Sequence, residues 1–149
     1  MIKPRSPRAV APDLLERLKA RFGAFPLTRE WDLSIDAVTP GATVLSLEPS
    51  ATTTNGPAGV VNGGVLATLA DMACALALST RFDGRMPFAT SDLHIRYLEP
   101  AQSRVTVTAA LLRVSLRSAI LDCRLSCGEH LVALGSAHFI LNPSAKDAE

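Results

Sequence analysis

One acidic residue, Asp71, lies within an otherwise apolar stretch whose small and aliphatic side chains recur at helical spacing. The pattern predicts a helix from about Asn62 to Arg81 that is buried nearly all round. An unpaired carboxylate is costly to bury, so such a residue needs hydrogen-bond partners or a chemical role. The candidate role is that of a base or a nucleophile, and the alternative is a structural acid bonded to a neighbouring strand.

Two glycines open the same predicted helix, because Asn62, Gly63 and Gly64 come directly before its apolar residues. Backbone N–H groups in the first turn of a helix have no intrahelical acceptor, and glycine leaves room for an approaching anion or carbonyl oxygen. Asn62 is a good N-cap residue. The sequence therefore places an acid and an oxygen-binding helix start on one element.

Length and charge indicate one domain, residues 1–149, that binds small molecules. The 15 Lys and Arg nearly balance the 14 Asp and Glu, and no basic stripe interleaved with aromatic residues indicates a nucleic-acid partner. Residues 1–11 are expected to form a flexible basic tail without the apolar run of a signal peptide, which favours a cytoplasmic location. The apolar residues 65–78 are too few for a membrane span and contain Asp71, so no membrane partner is expected.

Residues that bind metals or act as nucleophiles in other folds are scattered here. The three cysteines and three histidines are Cys74, Cys123, Cys127, His94, His130 and His138. Their spacing is not that of a zinc site, and a cysteine in an apolar helix, as Cys74 is, is usually a small core residue. No serine elbow, phosphate-binding loop or dinucleotide fingerprint is present. We expect no metal and no cofactor.

The remaining pattern predicts an α+β fold. Residues 12–23 should form a helix capped by Asp13, and residues 49–59 a loop. Period-two alternation and turn residues predict strands at 31–38, 43–48, 104–114, 118–126 and 130–141, with a further strand from Phe88 to the Glu99-Pro100 stop. Connections this short favour an antiparallel meander, giving a curved sheet of five to six strands wrapped around one long central helix.

Two segments resemble hotdog-fold thioesterases of the phenylacetate-pathway and 4-hydroxybenzoyl-CoA thioesterase-like superfamily. The first is 55–73, with its Gly-Gly-Val-x-x-x-Leu-Ala-Asp core, and the second is 90–101, Thr-Ser-Asp-Leu-His-Ile-Arg-Tyr-Leu-Glu-Pro-Ala. The resemblance covers about residues 28–141. It implies a hotdog fold and hydrolysis of an acyl-CoA thioester, in which Asp71 attacks the carbonyl or activates water and the Gly63 N–H polarises the carbonyl oxygen.

The resemblance also implies supporting residues. Asn55 matches an asparagine that orients water or the carbonyl, and Thr90 holds the place of a hydroxyl residue that assists the water. For each there is a simpler interpretation: Asn55 as an ordinary loop residue, and Thr90 as a β-branched strand former. Asn62 departs from the family, which usually has histidine before the two glycines, although it and Gly64 stay candidate substrate-binding residues.

The phosphates of the CoA nucleotide would need positively charged side chains near the mouth of the site. Arg113 and Arg117, with Ser118, flank a turn at positions where relatives contact the nucleotide. A basic turn is more often simply solvated.

Geometry sets a condition on the implied site. Eight residues of helix separate Gly63 from Asp71 by about 12 Å, whereas reacting groups need a separation of roughly 3 Å. One chain cannot supply both groups to one carbonyl. A homodimer with antiparallel central helices would bring Asp71 of one chain to Gly63 of the other, giving two equivalent sites, and a homotetramer of such dimers is expected.

Two alternatives to a thioesterase stay open. One is a non-catalytic acyl-CoA-binding protein that lost turnover through Asn62. The other is a hotdog dehydratase, which would pair its acid with a histidine. None of the histidines lies near the start of the predicted helix, so the dehydratase ranks last.

Overall fold

The computed structural model describes residues 10–142, so residues 1–9 of the predicted tail lie outside the described residues. Its elements are α1 (Leu14–Gly23), α2 (Pro26–Glu30), β1 (Ser34–Thr39), β2 (Ala42–Leu47), β3 (Thr54–Asn55), β4 (Val60–Val61), α3 (Gly63–Ser79), β5 (Phe88–Tyr97), β6 (Val105–Val114), β7 (Ser118–Cys127) and β8 (His130–Leu141). Residues Thr80–Phe82 add one 3₁₀ turn to the end of α3.

Six strands form one antiparallel sheet in the order β1-β2-β6-β7-β8-β5, and β3 pairs with β4 in a separate short hairpin. Alternate residues of the central strands β6 and β7 are buried, as in β7, where Ala119, Leu121 and Leu125 point inward. The inner face of the sheet packs against α3. This is the predicted α+β hotdog fold, with six strands around a central helix.

Small residues let α3 lie close to the sheet. Ala70, Ala73 and Ala77 are fully buried on the helix. Opposite them is Gly135 of β8, where a Cβ atom would lie 2.5 Å from Cys123 Sγ and 3.6 Å from Ala70 Cβ. The Thr43 hydroxyl ties β2 to the helix by donating to the Ala73 carbonyl at 2.8 Å. The position of α3, and of every group that it carries, is therefore fixed by close contact.

The same helix is long and apolar enough to be mistaken for a membrane span, since residues Gly63–Phe82 have a mean hydropathy of 1.5. More than half of that stretch is buried inside the fold. The helix is a core element, as its sequence predicts.

One side of α3 is not covered, which corrects the prediction of a helix buried nearly all round. Gly64 is exposed, and Ala67, Thr68, Asp71 and Ala75 are half-buried. These residues recur at three- and four-residue spacing and so form one stripe. They keep contact with solvent because the sheet covers only the opposite side of the helix. We call residues 64, 67, 68, 71 and 75 the open stripe.

Three other predictions need correction. The meander is confirmed only for β6, β7 and β8, because β5 lies at the far edge beside β8. The five residues of α2 were not predicted, and the first strand begins at Ser34. Asp13 makes no capping hydrogen bond, since its carboxylate accepts from Arg17 Nε at 2.9 Å.

Candidate active site

The start of α3 is held by Asn62, whose extended backbone (φ −59°, ψ 138°) is that of an N-cap residue. Its Oδ1 accepts a hydrogen bond from the Gly64 N–H at 2.7 Å, which confirms the predicted cap. The Gly63 N–H, one position earlier, has no acceptor within residues 10–142. Because it is at the positive end of the helix dipole, this N–H is available to a carbonyl oxygen or an anion.

Asn55 lies beside this helix start. The β3–β4 hairpin carries it there, and the Asn62 N–H donates to the Thr53 carbonyl at 2.9 Å, which ties the hairpin to α3. Asn62 Nδ2 donates to Asn55 Oδ1 at 2.8 Å. With its oxygen so engaged, Asn55 presents its NH₂ group to the surroundings and can act as a donor.

Tyr97 is a contact of the helix start that the sequence analysis did not single out. It is the last residue of β5, and its hydroxyl donates to the Gly63 carbonyl at 2.6 Å. A signal was present, because alternation along β5 places Tyr97 on the same face as Leu93 and Ile95, toward the helix. Tyr97 also lies in the segment that carries the family resemblance.

Asp71 meets Thr90 on the uncovered side of α3. The Thr90 hydroxyl donates to Asp71 Oδ1 at 2.7 Å. No other hydrogen bond to the carboxylate is recorded within the described residues, so the second oxygen is open to solvent or substrate. The two residues that the resemblance assigns to the attacking water are thus in direct contact.

A β-bulge follows Thr90 and sets its direction. The pairing of β5 with β8 shifts register between Thr90 and Asp92, leaving Ser91 as the extra residue. The Ser91 hydroxyl lies 2.6 Å from His138 Nδ1 and 3.0 Å from the His138 carbonyl oxygen. The bulge lets Thr90 face the helix while Leu93 and Ile95, after it, also face inward.

Within one chain, the predicted residues form two groups. Asp71 and Thr90 make the first, and Gly63, Asn55 and Asn62 make the second. Eight helical residues, or about 12 Å, separate them. The open stripe joins the two groups along α3, and the exposed edge strand β5 runs beside it.

The predicted nucleotide contacts lie farther away. In the sheet, Thr90 is in register with Phe139, then Ala119, then Val114, so three strand spacings, or about 14 Å, separate it from the β6–β7 turn. Arg113 and Arg117 are exposed at this turn and make no ion pair with any residue in 10–142. Ser118 Oγ lies 3.1 Å from Ser115 Oγ. These residues share an end of the sheet with Thr90 but do not contact Asp71.

A concavity of about 570 Å³ lies on the outer face of the sheet, away from α3. Its lining includes His94, Arg96, Asp122 and Arg124. Neither Asp71 nor Gly63 lines it. This concavity is therefore not the place where the predicted groups act.

Cys74, one helical turn beyond Asp71, is fully buried. Its interaction with the Cys123 thiol and its burial both raise the pKa of the Cys74 thiol above the ordinary value. A thiol held in its protonated form is a poor nucleophile. Cys74 is a core residue, as predicted.

The sequence model of the thioesterase superfamily matches residues 58–134, which is more than half of the chain. No curated protein sequence matches significantly.

Solved structures share the architecture. A mutant of the phenylacetic acid degradation protein PaaI from Thermus thermophilus is 28% identical, with a TM-score of 0.71, covering 78% of this chain and 99% of its own. The Escherichia coli PaaI protein from the phenylacetic acid degradation operon is 20% identical, with a TM-score of 0.77 and coverages of 89% and 95%. A mutant thioesterase from Staphylococcus aureus is 22% identical, with a TM-score of 0.73 and coverages of 80% and 100%.

At 20% and 22% identity the last two show the fold alone. The match to the family model covers α3, β5 to β7 and the first residues of β8, and it includes Asp71, Gly63 and Thr90. The chain belongs to the thioesterase superfamily and has its PaaI-like hotdog fold.

Proposed function

We propose that this thioesterase hydrolyses an acyl-CoA to the free acid and CoA, at a site formed between two copies of the chain. The observation that carries the proposal is the hydrogen bond from Thr90 to Asp71 on the open stripe. It holds one carboxylate oxygen and leaves the other exposed. A carboxylate presented in this way can accept a proton from water or attack a carbonyl carbon itself.

The reaction needs only groups of the chain and water. Asp71 takes a proton from water as the water oxygen attacks the thioester carbonyl carbon. Negative charge develops on the carbonyl oxygen, where the Gly63 N–H and the helix dipole stabilise it. The C–S bond then breaks. Asp71 gives the proton to the leaving CoA thiolate and returns to its ionised form. No metal or redox cofactor is required, because CoA enters as part of the substrate.

Asn55 and Asn62 support the oxygen-binding side of this site. The contact between them orients the Asn55 amide as a donor. A donor near the Gly63 N–H suits a carbonyl oxygen that gains charge. Asn62 itself is committed to the helix cap, so its part in the reaction is to fix Gly64 and Asn55.

The dimer is the arrangement that joins the two groups of residues. Two copies with α3 helices antiparallel along their open stripes would set Asp71 and Thr90 of one copy beside Gly63 of the other. β5 is an edge strand, so its unpaired side is available to the β5 of a second copy. Twofold symmetry then gives two equivalent sites, and we propose a homotetramer of such dimers.

The exposed turn with Arg113, Arg117 and Ser118 is the proposed contact for the CoA phosphates. Guanidinium groups pair well with phosphates, and neither arginine has an ion-pair partner among residues 10–142. The turn lies at the same end of the sheet as Thr90. We place this activity in the cytoplasm, with no nucleic-acid or membrane partner.

The test is CoA release from a panel of aryl, short, medium and long acyl-CoAs by the wild type and by Asp71→Asn. We expect the variant to lose at least about 10²-fold in kcat, the contribution of a general base. Asp122→Asn is the matched control, because Asp122 is an exposed carboxylate on the outer face of the sheet. Circular dichroism and gel filtration would show whether fold and assembly are kept.

Two outcomes would contradict the proposal. Equal activity in the wild type and in Asp71→Asn would remove Asp71 from the reaction. Saturable acyl-CoA binding with no release from any ester would favour a non-catalytic acyl-CoA-binding protein.

A further inference from the structure

We infer that Tyr97 is a positioning residue for this reaction, which sets the direction of the N–H group that binds the carbonyl oxygen. The inference rests on the proposed function, since the N–H group is that of Gly63. Tyr97 need not touch the substrate to do this.

The argument begins with the peptide unit between Gly63 and Gly64. Its carbonyl, that of Gly63, accepts from the Tyr97 hydroxyl at 2.6 Å. Its N–H, that of Gly64, donates to Asn62 Oδ1 at 2.7 Å. Two side chains from different parts of the chain therefore hold both ends of one peptide plane. The neighbouring peptide plane carries the Gly63 N–H and is joined to this one at the Gly63 Cα, about which each plane can rotate. Its own carbonyl, that of Asn62, accepts from the Leu66 N–H at 3.1 Å. With both planes held, the direction of the Gly63 N–H is set.

Other polar atoms of this first turn are also engaged by side chains. The Thr68 hydroxyl donates to the Gly64 carbonyl at 2.9 Å. The Gly63 N–H has no acceptor in residues 10–142, and neither has the Val65 N–H. Val65 is buried and Gly63 is half-buried, so the Gly63 N–H is the more accessible of the two donors. The helix start is thus held by side chains around an accessible donor, which is what a preorganised oxygen-binding site requires.

The two glycines fit this interpretation. A Cβ at position 63 would lie 3.2 Å from Tyr97 Cζ and 3.3 Å from its hydroxyl oxygen. A Cβ at position 64 would lie 3.0 Å from Asn62 Oδ1. Each glycine therefore makes room for the side chain that holds the peptide plane, in addition to any room that it leaves for substrate.

Packing within one chain does not account for Tyr97. The residue is 52% exposed in the single chain, whereas a tyrosine that serves the core of its own chain buries its ring. Its defined contact is the one with Gly63, made across 34 positions of sequence. The hydroxyl is the group whose removal tests the inference.

The experiment compares steady-state CoA release by the wild type, Tyr97→Phe and Gln102→Met. Phenylalanine keeps the ring and removes the donor. Because small misplacements of a reacting group lower rates strongly, we expect kcat to fall about 10-fold or more with KM changed less than about 2-fold. Gln102 is the matched control, since its exposed side chain donates to the Ala58 carbonyl at 3.2 Å. Gln102→Met should keep the wild-type kcat.

A spectroscopic measurement separates positioning from a general loss of stability. The carbonyl stretch of a ¹³C-labelled acyl-CoA bound to Asp71→Asn reports polarisation by the Gly63 N–H. We expect its shift to lower frequency to shrink when Tyr97→Phe is added. Equal kcat and equal carbonyl frequency with and without the hydroxyl would overturn the inference.

The outcomes distinguish this inference from the proposed function. CoA release by the wild type tests the proposed function. The change in the rate of CoA release caused by Tyr97→Phe tests the inference. If the wild type binds esters without releasing CoA, the proposed function fails, and the carbonyl shift still decides for or against Tyr97. If no ester binds at all, both fail.

Discussion

The Asp71 carboxylate has unequal oxygens, because Thr90 holds only one of them. A carboxylate that can rotate presents either oxygen in many directions, whereas one that accepts a short hydrogen bond presents the other in a defined direction. The contact therefore selects a direction for proton transfer before substrate arrives. This orienting effect belongs to the hydroxyl group and not to the shape of the threonine side chain.

Thr90→Val tests that distinction, since valine has nearly the same shape and no hydroxyl. A hydrogen bond to a charged group contributes about 1.5–3 kcal/mol. We expect kcat to fall by about 10- to 100-fold, with little change in thermal stability. Thr90→Ser keeps the donor and should retain most of the activity. Steady-state kinetics of the wild type, Thr90→Val and Thr90→Ser measures this effect. A wild-type kcat in Thr90→Val would show that the contact is structural.

Cys74 should be unreactive in the folded protein. Its raised pKa and complete burial leave almost no accessible thiolate, whereas Cys127 is only half-buried. We expect iodoacetamide at about pH 8, near the ordinary pKa of a thiol, to modify Cys127 before Cys74, as mapped by mass spectrometry of tryptic peptides. Denaturant should make all three thiols react. Modification of Cys74 first would mean that the helix leaves the sheet more readily than its packing indicates.

At the scale of the elements, the packing of β8 against its neighbours depends on one glycine, Gly135. A Cβ at Gly135 would lie 2.5 Å from Cys123 Sγ and 2.9 Å from Ile95 Cδ1. Gly135→Ala should therefore lower the free energy of unfolding by about 1–3 kcal/mol, the usual effect of overpacking.

Urea denaturation of Gly135→Ala measures this loss, and Cys123→Ala supplies the control. Removing Sγ takes away the shorter contact, so the loss caused by Gly135→Ala should be smaller in the Cys123→Ala background. An equal loss in both backgrounds would assign the effect to Ile95 or to the backbone.

The elements also show what local sequence can specify. Period-two alternation located β6, β7 and β8 to within a residue or so, because each has one face in the core. The place of β5 beside β8 was not predicted, since alternation carries no information on which strands pair. The open stripe was missed for a related reason. Alanine, glycine and threonine suit both a core and an interface between chains, so composition could not separate the two.

At the scale of the molecule, the proposed site can be tested by mixing two inactive chains. Gly63→Pro removes the N–H group, and proline is tolerated at the first position of a helix. The extended backbone of Asn62 suits a following proline. Gly63→Ala is its matched control, because it adds the same Cβ near Tyr97 and keeps the N–H. Loss of one oxygen-binding donor should lower kcat by about 10²–10³-fold.

Coexpression of Gly63→Pro with Asp71→Asn should then restore activity. In a random mixture about half of the dimers contain one chain of each kind, and each of these has one intact site of two. We expect about a quarter of wild-type activity, measured as CoA release by the coexpressed protein. Recovery no greater than the sum of the single variants would contradict a site shared between Asp71 of one chain and Gly63 of the other.

The candidate site was predictable in part for a physical reason. Asp71, Gly63 and Asn62 lie close together in sequence, so helical geometry alone relates them. The pairing of Thr90 with Asp71 could be predicted only from the family resemblance. The contact of Tyr97 with Gly63 could be found only from the fold. Contacts that join a helix to an edge strand depend on sheet order, which local pattern does not contain.

The open stripe of α3 and the unpaired edge of β5 would make the activity depend on the concentration of the protein. If working sites exist only where two chains meet, a solution more dilute than the dissociation constant of the dimer contains sites in proportion to the square of the chain concentration. In that range a twofold change in expression would change the rate of hydrolysis about fourfold. The cell could then switch this activity through the amount of protein alone, without a dedicated effector.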